Sequence, residues 1–330
     1  MTATVQVSIH PSQFPDAVRG DLLDSLRQGA INHKFHYDSI KQAQKWLALH
    51  DACSPARTRP EVAAAYHRAF EQTSRIVSPG TVHIIGLGCG GGAKDCALLS
   101  RLQGNAPSYT PIDVSTALVL TSWQAARSII PPERCFPLVC DLAKADDLPS
   151  ILDAQPISHA TRLVTFFGML PNFEPETILP RLAALIRPGD LLLCSANLAP
   201  GSNYQEGVAR VLPLYDNGLT REWLLMFLSD LGVDPRDGTT TFRIEEHPPG
   251  SGLLRIAASF EFVRRKNLRI DSHTFTFQPT DLLRLFFSYR HTPELVERLL
   301  AAHGLPVSDK YISPCGEEGL FLARRPWPRT

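Results

Sequence analysis

The sequence predicts a doubly wound α/β fold, a mainly parallel sheet covered by helices on both faces, accompanied by a second α+β domain. Two observations carry the first part. Between residues 81 and 195, strand-sized apolar runs alternate with helical stretches, the pattern of a parallel sheet buried on both faces. A glycine cluster, Gly86-Leu-Gly88-Cys-Gly90-Gly91-Gly92, lies directly between the first of those runs and the next helix. A third observation sets the second domain apart: beyond residue 200 the pattern turns to alternating runs around Pro/Gly/Ser turns.

Taken in order, residues 16–29 (DAVRGDLLDSLRQG) carry apolar residues at helical spacing, and Ser39 to His50 reads as a further helix. Residues 60–77 form another, opened by Pro60 and Glu61. Thr81 to Ile85 is a β-branched run that stops at the glycines, and a helix from Lys94 to Leu102 follows. Buried strands are expected at Tyr109–Val114, Cys135–Cys140, Arg162–Phe167 and Asp190–Ser195, with a helix at Thr177–Ile186. After a helix from Thr220 to Leu231, TTTFRIEEH and LLRIAASFEFV flank PPGSG and read as a hairpin. Leu268–Phe277 is a third strand, and a helix at Pro293–Ala302 and a strand at Gly319–Ala323 close the chain.

Bulk chemistry narrows the partners. Lysine plus arginine equals aspartate plus glutamate at 33 each. The basic excess that releases counterions from nucleic acid is missing, so the balance points to a small-molecule or protein partner. No apolar run approaches the roughly 20 residues that span a bilayer, and the first residues lack a signal-peptide pattern. Seven cysteines without CxxC spacing suit a reducing, cytoplasmic compartment.

The glycine cluster is the sharpest motif. Glycines there let the backbone approach a ligand and turn into a helix whose N-terminus favours negative charge. Gly86, Gly88 and Gly91 also satisfy the dinucleotide GxGxxG spacing, with Asp113 about 20 residues on. Asp113 suits ribose hydroxyls in either a nicotinamide enzyme or a methyl-donor enzyme. Asp141, at the end of the third strand, favours the methyl donor, because class I methyltransferases place an acid there against the adenine amino group. The fourth strand ends in Phe166-Phe167-Gly168, followed by an asparagine and a proline, which suits contact with a methyl acceptor. Either aspartate is otherwise a helix cap. His33 with His36, and His50 with Cys53, have the HxxH and HxxC spacing of zinc ligands, but the stretch reads equally as ordinary helix and no metal is expected. No GxSxG is present, so hydrolase chemistry has no support.

Six segments in order then resemble the histidine-specific N-alpha-methyltransferases of ergothioneine biosynthesis. They are Phe35-His-Tyr37-Asp38-Ser39, LGCGGGAK with Lys94, YTPIDVS, PNFEPE, LYDNGLT and RLFFSYRHTPE, from about residue 33 to the C-terminus. The resemblance implies a class I methyltransferase, with S-adenosylmethionine held by Gly86, Gly88, Gly90, Lys94, Asp113, Asp141 and Leu142. It further implies that Asn172 and Tyr215 grip the acceptor's carboxylate and that Tyr37 sits beside its amino group. Phe167, Gly168, Phe286 and Ser288 would line the acceptor site. The family's glutamate that reads imidazole falls on Phe286 here, and its EYYPTR segment falls near Cys53–Arg57, so a pocket tyrosine is missing. The expected acceptor is therefore an amino acid or small amine other than histidine, with an apolar or aromatic side chain. The competing readings are an NAD(P)-dependent oxidoreductase on the same loop and a non-catalytic relative that binds the cofactor.

Four segments follow from this. Residues 1–59 form an N-terminal helical segment packing with the substrate-side domain, and 60–200 a Rossmann-like cofactor domain. Residues 201–292 form a substrate-side insertion, and 293–330 a closing helix and strand.

Overall fold

The computed structural model describes residues 4–77, 80–157 and 160–327. Along the chain the strands are β1 (Ser8–Ile9), β2 (Val82–Leu87), β3 (Ser108–Asp113), β4 (Leu138–Val139), β5 (Thr161–Phe166), β6 (Leu191–Asn197), β7 (Gly238–Glu246), β8 (Leu254–Phe262), β9 (Lys266–Ile270), β10 (His273–Phe277), β11 (Leu282–Arg290), β12 (Val307–Ile312) and β13 (Glu318–Arg324). The helices are α1 (Pro15–Arg27), α2 (Ile40–Cys53), α3 (Pro55–Thr58), α4 (Pro60–Val77), α5 (Ala93–Arg101), α6 (Thr116–Ala126), α7 (Leu148–Asp153), α8 (Pro175–Leu185), α9 (Tyr204–Val211), α10 (Gly218–Asp230) and α11 (Pro293–Ala302).

The chain forms two units. The first comprises Met1–Gln13, Pro55–Leu198 and His291–Thr330. Its sheet runs β1-β4-β3-β2-β5-β6-β13-β12, parallel from β1 to β6, with β13 antiparallel to β6 and β12 antiparallel to β13. Strand period decides how its faces are covered. Ile85, Val164, Leu192 and Phe321 pack under α7, α8 and α11. Their neighbours Ile84, Leu163, Leu193 and Leu320 pack under α4, α5 and α6. Both faces are thus apolar and buried, which is why the strands read as continuous hydrophobic runs.

The second unit comprises Phe14–Ser54 and Ala199–Arg290. It holds the antiparallel sheet β11-β8-β7 and the separate hairpin β9-β10. Its core gathers Leu26, Phe35, Trp223, Phe227, Phe260, Leu285 and Phe286. Asn217 caps α10 by accepting from the Thr220 amide at 3.0 Å, which starts that helix two residues before Thr220. A buried ion pair joins Lys34 to Asp21.

Three expectations are corrected. Residues 4–13, expected with the substrate side, group with the first unit, because Ser8–Ile9 pairs in parallel with Leu138–Val139. The strand expected over Cys135–Cys140 shrinks to β4; Pro137 interrupts it, having no N–H to give the ladder. The single strand expected at Leu268–Phe277 is two, folded back at Asp271, which takes a left-handed φ of 50°; such turns admit Asp readily. Strands β11 and β12 and helix α9 were not expected. The apolar run of β11 has no alternation, because most of its residues are buried on both faces.

Two buried histidines couple stability to acid. His36 gives its Nε2–H to the Leu285 carbonyl at 2.7 Å, and burial lowers its pKa to about 4. His83 sits between Ser108 and Thr110, and burial, then the nearby Arg162, lower its pKa to about 3. Each folded-state value lies below the unfolded one, so the unfolded chain binds more protons as pH falls below 6.5. The stabilisation is full above that pH and is lost toward the folded values. Urea unfolding at pH 5 and pH 7 should show a steeper acid loss in the wild type than in His83→Gln. Buried carboxyls whose pKa is raised act in the opposite sense but are common to both proteins. Equal slopes would contradict the neutral, buried state of His83.

Candidate functional site

The glycine loop lies in the first unit between β2 and α5, beside the point where the strand order reverses. Strands β3 and β4 lie on one side of β2, and β5 and β6 on the other, and such a switch point opens a crevice at the carboxyl ends of the strands. Gly88 has φ +65° and Gly92 +74°. A Cβ on Gly88 would stand 2.4 Å from the Met169 sulfur, and one on Gly92 would stand 2.9 Å from the Ser122 Cα. The Ser122 backbone blocks a side chain at Gly92, and the left-handed φ disfavours one at both positions, so the loop presents bare backbone.

That backbone is tied to the next strand. The Gly90 amide donates to Asp113 Oδ2 and the Ser115 amide to Asp113 Oδ1, each at 3.0 Å. Ser115, not Asp113, caps α6 by accepting from the Leu118 amide. The helix-cap explanation of Asp113 therefore fails. Burial raises the Asp113 pKa to about 6 against the stabilising effect of these backbone donors. Its carboxylate is thus an acceptor held rigidly at the end of β3. Asp141 follows β4, is buried, donates its amide to Ser12 Oγ and accepts from the Ala143 amide at 2.9 Å. Leu142 is buried in the core beside it. Loop, Asp113 and Asp141 follow three adjacent strands, and this cradle of bare backbone and two buried acidic side chains fits a nucleoside. A cavity of about 510 Å³ reaches Leu87 and Leu142 but is lined mainly by α7 and α8, not by Gly88, Gly90 or Asp113. It meets the cradle at Leu87 and Leu142 and otherwise lies along α7 and α8.

At the end of β5, Phe167 packs against Tyr66 and Phe70. The Gly168 amide donates to Ser195 Oγ at 2.8 Å, and Asn172 Nδ2 donates to the Gly168 carbonyl at 3.2 Å. Lys94, in the first turn of α5, donates to Tyr66 Oη at 2.7 Å and stands over the Tyr66 ring. Tyr66 in turn donates to buried Glu318. Sequence reasoning missed Tyr66, Ser195 and Glu318. The one available signal was an acid at the start of the apolar run of β13.

In the second unit, Tyr215 Oη donates to Ser288 Oγ at 2.9 Å and accepts from the Arg290 guanidinium at 2.8 Å. Arg290 also lies over the Tyr215 ring and is buried. Tyr37 packs edge-on to Trp46 and tilted on Trp223. Phe286 stacks on His33 and meets Trp223 edge-on. His33 Nε2 accepts from the Phe287 amide at 3.1 Å, and His50 stacks on Trp46. The histidines considered as metal ligands are thus engaged in ring packing and backbone bonds. Among the described residues no three His, Cys, Asp or Glu converge on a common point.

The sequence profile of a family described as histidine-specific methyltransferase, SAM-dependent, matches residues 19–325. The chain belongs to that family. Its sheet, with antiparallel β13 between β6 and β12, is the class I methyltransferase fold, and the family's cofactor is S-adenosylmethionine. A trans-aconitate 2-methyltransferase of Delftia acidovorans is 30% identical over 165 residues, 50% of this chain and 52% of that protein. The match therefore spans about half the length of that relative. Among solved structures, the Burkholderia thailandensis 1,6-didemethyltoxoflavin-N1-methyltransferase is 13% identical with a TM-score of 0.43, covering 99% of this chain and 94% of that one. Human N-acetylserotonin methyltransferase is 16% identical with a TM-score of 0.44, covering 96% and 69%.

Proposed function

We propose that the protein methylates the amine of an amino acid, or of a related small amine, other than histidine. The observation that carries this is Phe286. By the resemblance it falls where the family carries its imidazole-reading glutamate, and it stacks on His33 and meets Trp223 edge-on. A phenyl ring offers no hydrogen bond, so this end of the acceptor site favours an apolar or aromatic body.

When bound, S-adenosylmethionine supplies a sulfonium methyl group for in-line displacement. Gly86, Gly88, Gly90, Asp113, Asp141, Leu142 and Lys94 would hold it, Asp113 through its ribose hydroxyls. The acceptor's carboxylate is met by Tyr215, with Ser288 beside it. The Arg290 cation behind Tyr215 makes that phenol a better donor to an anion. Tyr37 orients the amine, whose proton leaves to solvent before transfer. The enzyme's share of the catalysis is positioning and exclusion of water. The seven free cysteines support a reducing, cytoplasmic setting. No helix of the described residues is long and apolar enough to cross a membrane.

A competition assay with labelled S-adenosylmethionine and a panel of amino acids tests the reading. Aromatic or aliphatic acceptors should exceed histidine by about one to two powers of ten, because imidazole nitrogens left unsatisfied cost about 1–3 kcal/mol. S-adenosylmethionine, and not NAD or NADP, should raise the melting temperature in parallel. Histidine as the best acceptor would remove the role given to Phe286.

A further inference from the structure

The cluster of Lys94, Tyr66 and Glu318 lies wholly within the first unit and is drawn from α5, α4 and β13. The Lys94 ammonium stands 2.7 Å from Tyr66 Oη, 4.5 Å from the centre of its ring and 3.9 Å from Glu318 Oε1. Tyr66 is 5% exposed and Glu318 6%. The phenol O–H donates to Glu318 while its oxygen accepts from the Lys94 N–H. One hydroxyl therefore fixes the spacing between one cation and one anion. The Lys94 side chain keeps 23% exposure, so the cationic end of the cluster is reachable. Burial lowers the Lys94 pKa, and the Glu318 carboxylate opposes that.

S-adenosylmethionine joins, at its sulfonium, an uncharged adenosine to a methionine tail carrying an ammonium and a carboxylate. A lone lysine beside the glycine loop would attract the carboxylate and repel the ammonium. A Lys/Glu pair at fixed spacing complements both. We propose that Lys94 and Glu318 together read the zwitterionic methionine tail of the cofactor, with Tyr66 as the positioning residue that sets their separation. This rests on the reading of Lys94 as a cofactor ligand.

The test compares two ligands by calorimetry: S-adenosylhomocysteine, which has the tail, and methylthioadenosine, which lacks it. Tyr66→Phe keeps the ring and loses the hydroxyl, and Glu318→Gln keeps the shape and loses the charge. Each should weaken S-adenosylhomocysteine about tenfold, the worth of one charge-assisted hydrogen bond, and leave methylthioadenosine within about twofold. Binding of methylthioadenosine also shows that each variant is folded. Equal losses for both ligands would make the cluster structural and overturn the proposal, as would variants that bind both ligands like the wild type. Lys94→Met separates the two readings. If it alone weakens S-adenosylhomocysteine, Lys94 is a tail ligand but Glu318 and Tyr66 are not. If none of the three variants does so, the assignment of Lys94 falls as well.

Discussion

Asp113→Ala should weaken S-adenosylhomocysteine binding by about 1.5–3 kcal/mol, roughly 10- to 150-fold. The carboxylate would be a charge-assisted acceptor for ribose hydroxyls, and it also accepts the Gly90 and Ser115 amides. Removing it therefore takes away a ligand contact and the strut that holds the glycine loop to β3. Asp113→Asn separates these contributions, since an amide oxygen can still accept one of the backbone donors. The wild type should also lose affinity as pH falls through about 6, where burial places this carboxyl's pKa, because a protonated carboxyl gives up acceptor capacity. Asp113→Asn should not show that step. Calorimetry between pH 5 and 8 reads both effects, and unchanged affinity in Asp113→Ala would remove Asp113 from the cofactor site.

Asp21→Ala should destabilise the second unit by about 3–5 kcal/mol. The pair it breaks is deeply buried, with Lys34 and Asp21 side chains 3% and 6% exposed. An ammonium deprived of its carboxylate there is left charged in a poor solvent. The Asp38 carboxyl interacts with Lys34 as well, which places the expected loss toward the lower end of that range. Replacing both partners, Asp21→Leu with Lys34→Met, should recover most of the stability, because no buried charge is then left over. Urea unfolding of the three proteins checks this. A loss below about 1 kcal/mol in Asp21→Ala would mean that water reaches Lys34 in the folded protein.

Apolar period and glycine placement made the first unit legible in the sequence. Helix α4 at Pro60–Val77 and helix α11 at Pro293–Ala302 have the expected bounds, since Pro at the first helical position and one apolar stripe are local signals. The switch-point loop was legible for the same reason, because steric demand on Gly88 and Gly92 leaves glycine as the residue that fits. The hairpin of β7 and β8 followed from alternation around a Pro/Gly turn.

Less was legible where long-range partners outweigh local preference. Nothing near Ser8 announces a strand; β1 exists because β4 offers it an open edge. The Arg290–Tyr215–Ser288 chain closes over 73 and 75 residues of sequence, and the bond from Tyr66 to Glu318 over 252. The sequence by itself determined the doubly wound sheet, the glycine loop and the acid at the end of β3, because each is set by backbone sterics and side-chain period within a short window. Only the tertiary structure decided which charges meet. A buried ammonium, phenol or carboxylate takes whatever partner the packed helices and strands bring within about 3 Å, and no local pattern in the chain encodes that distance.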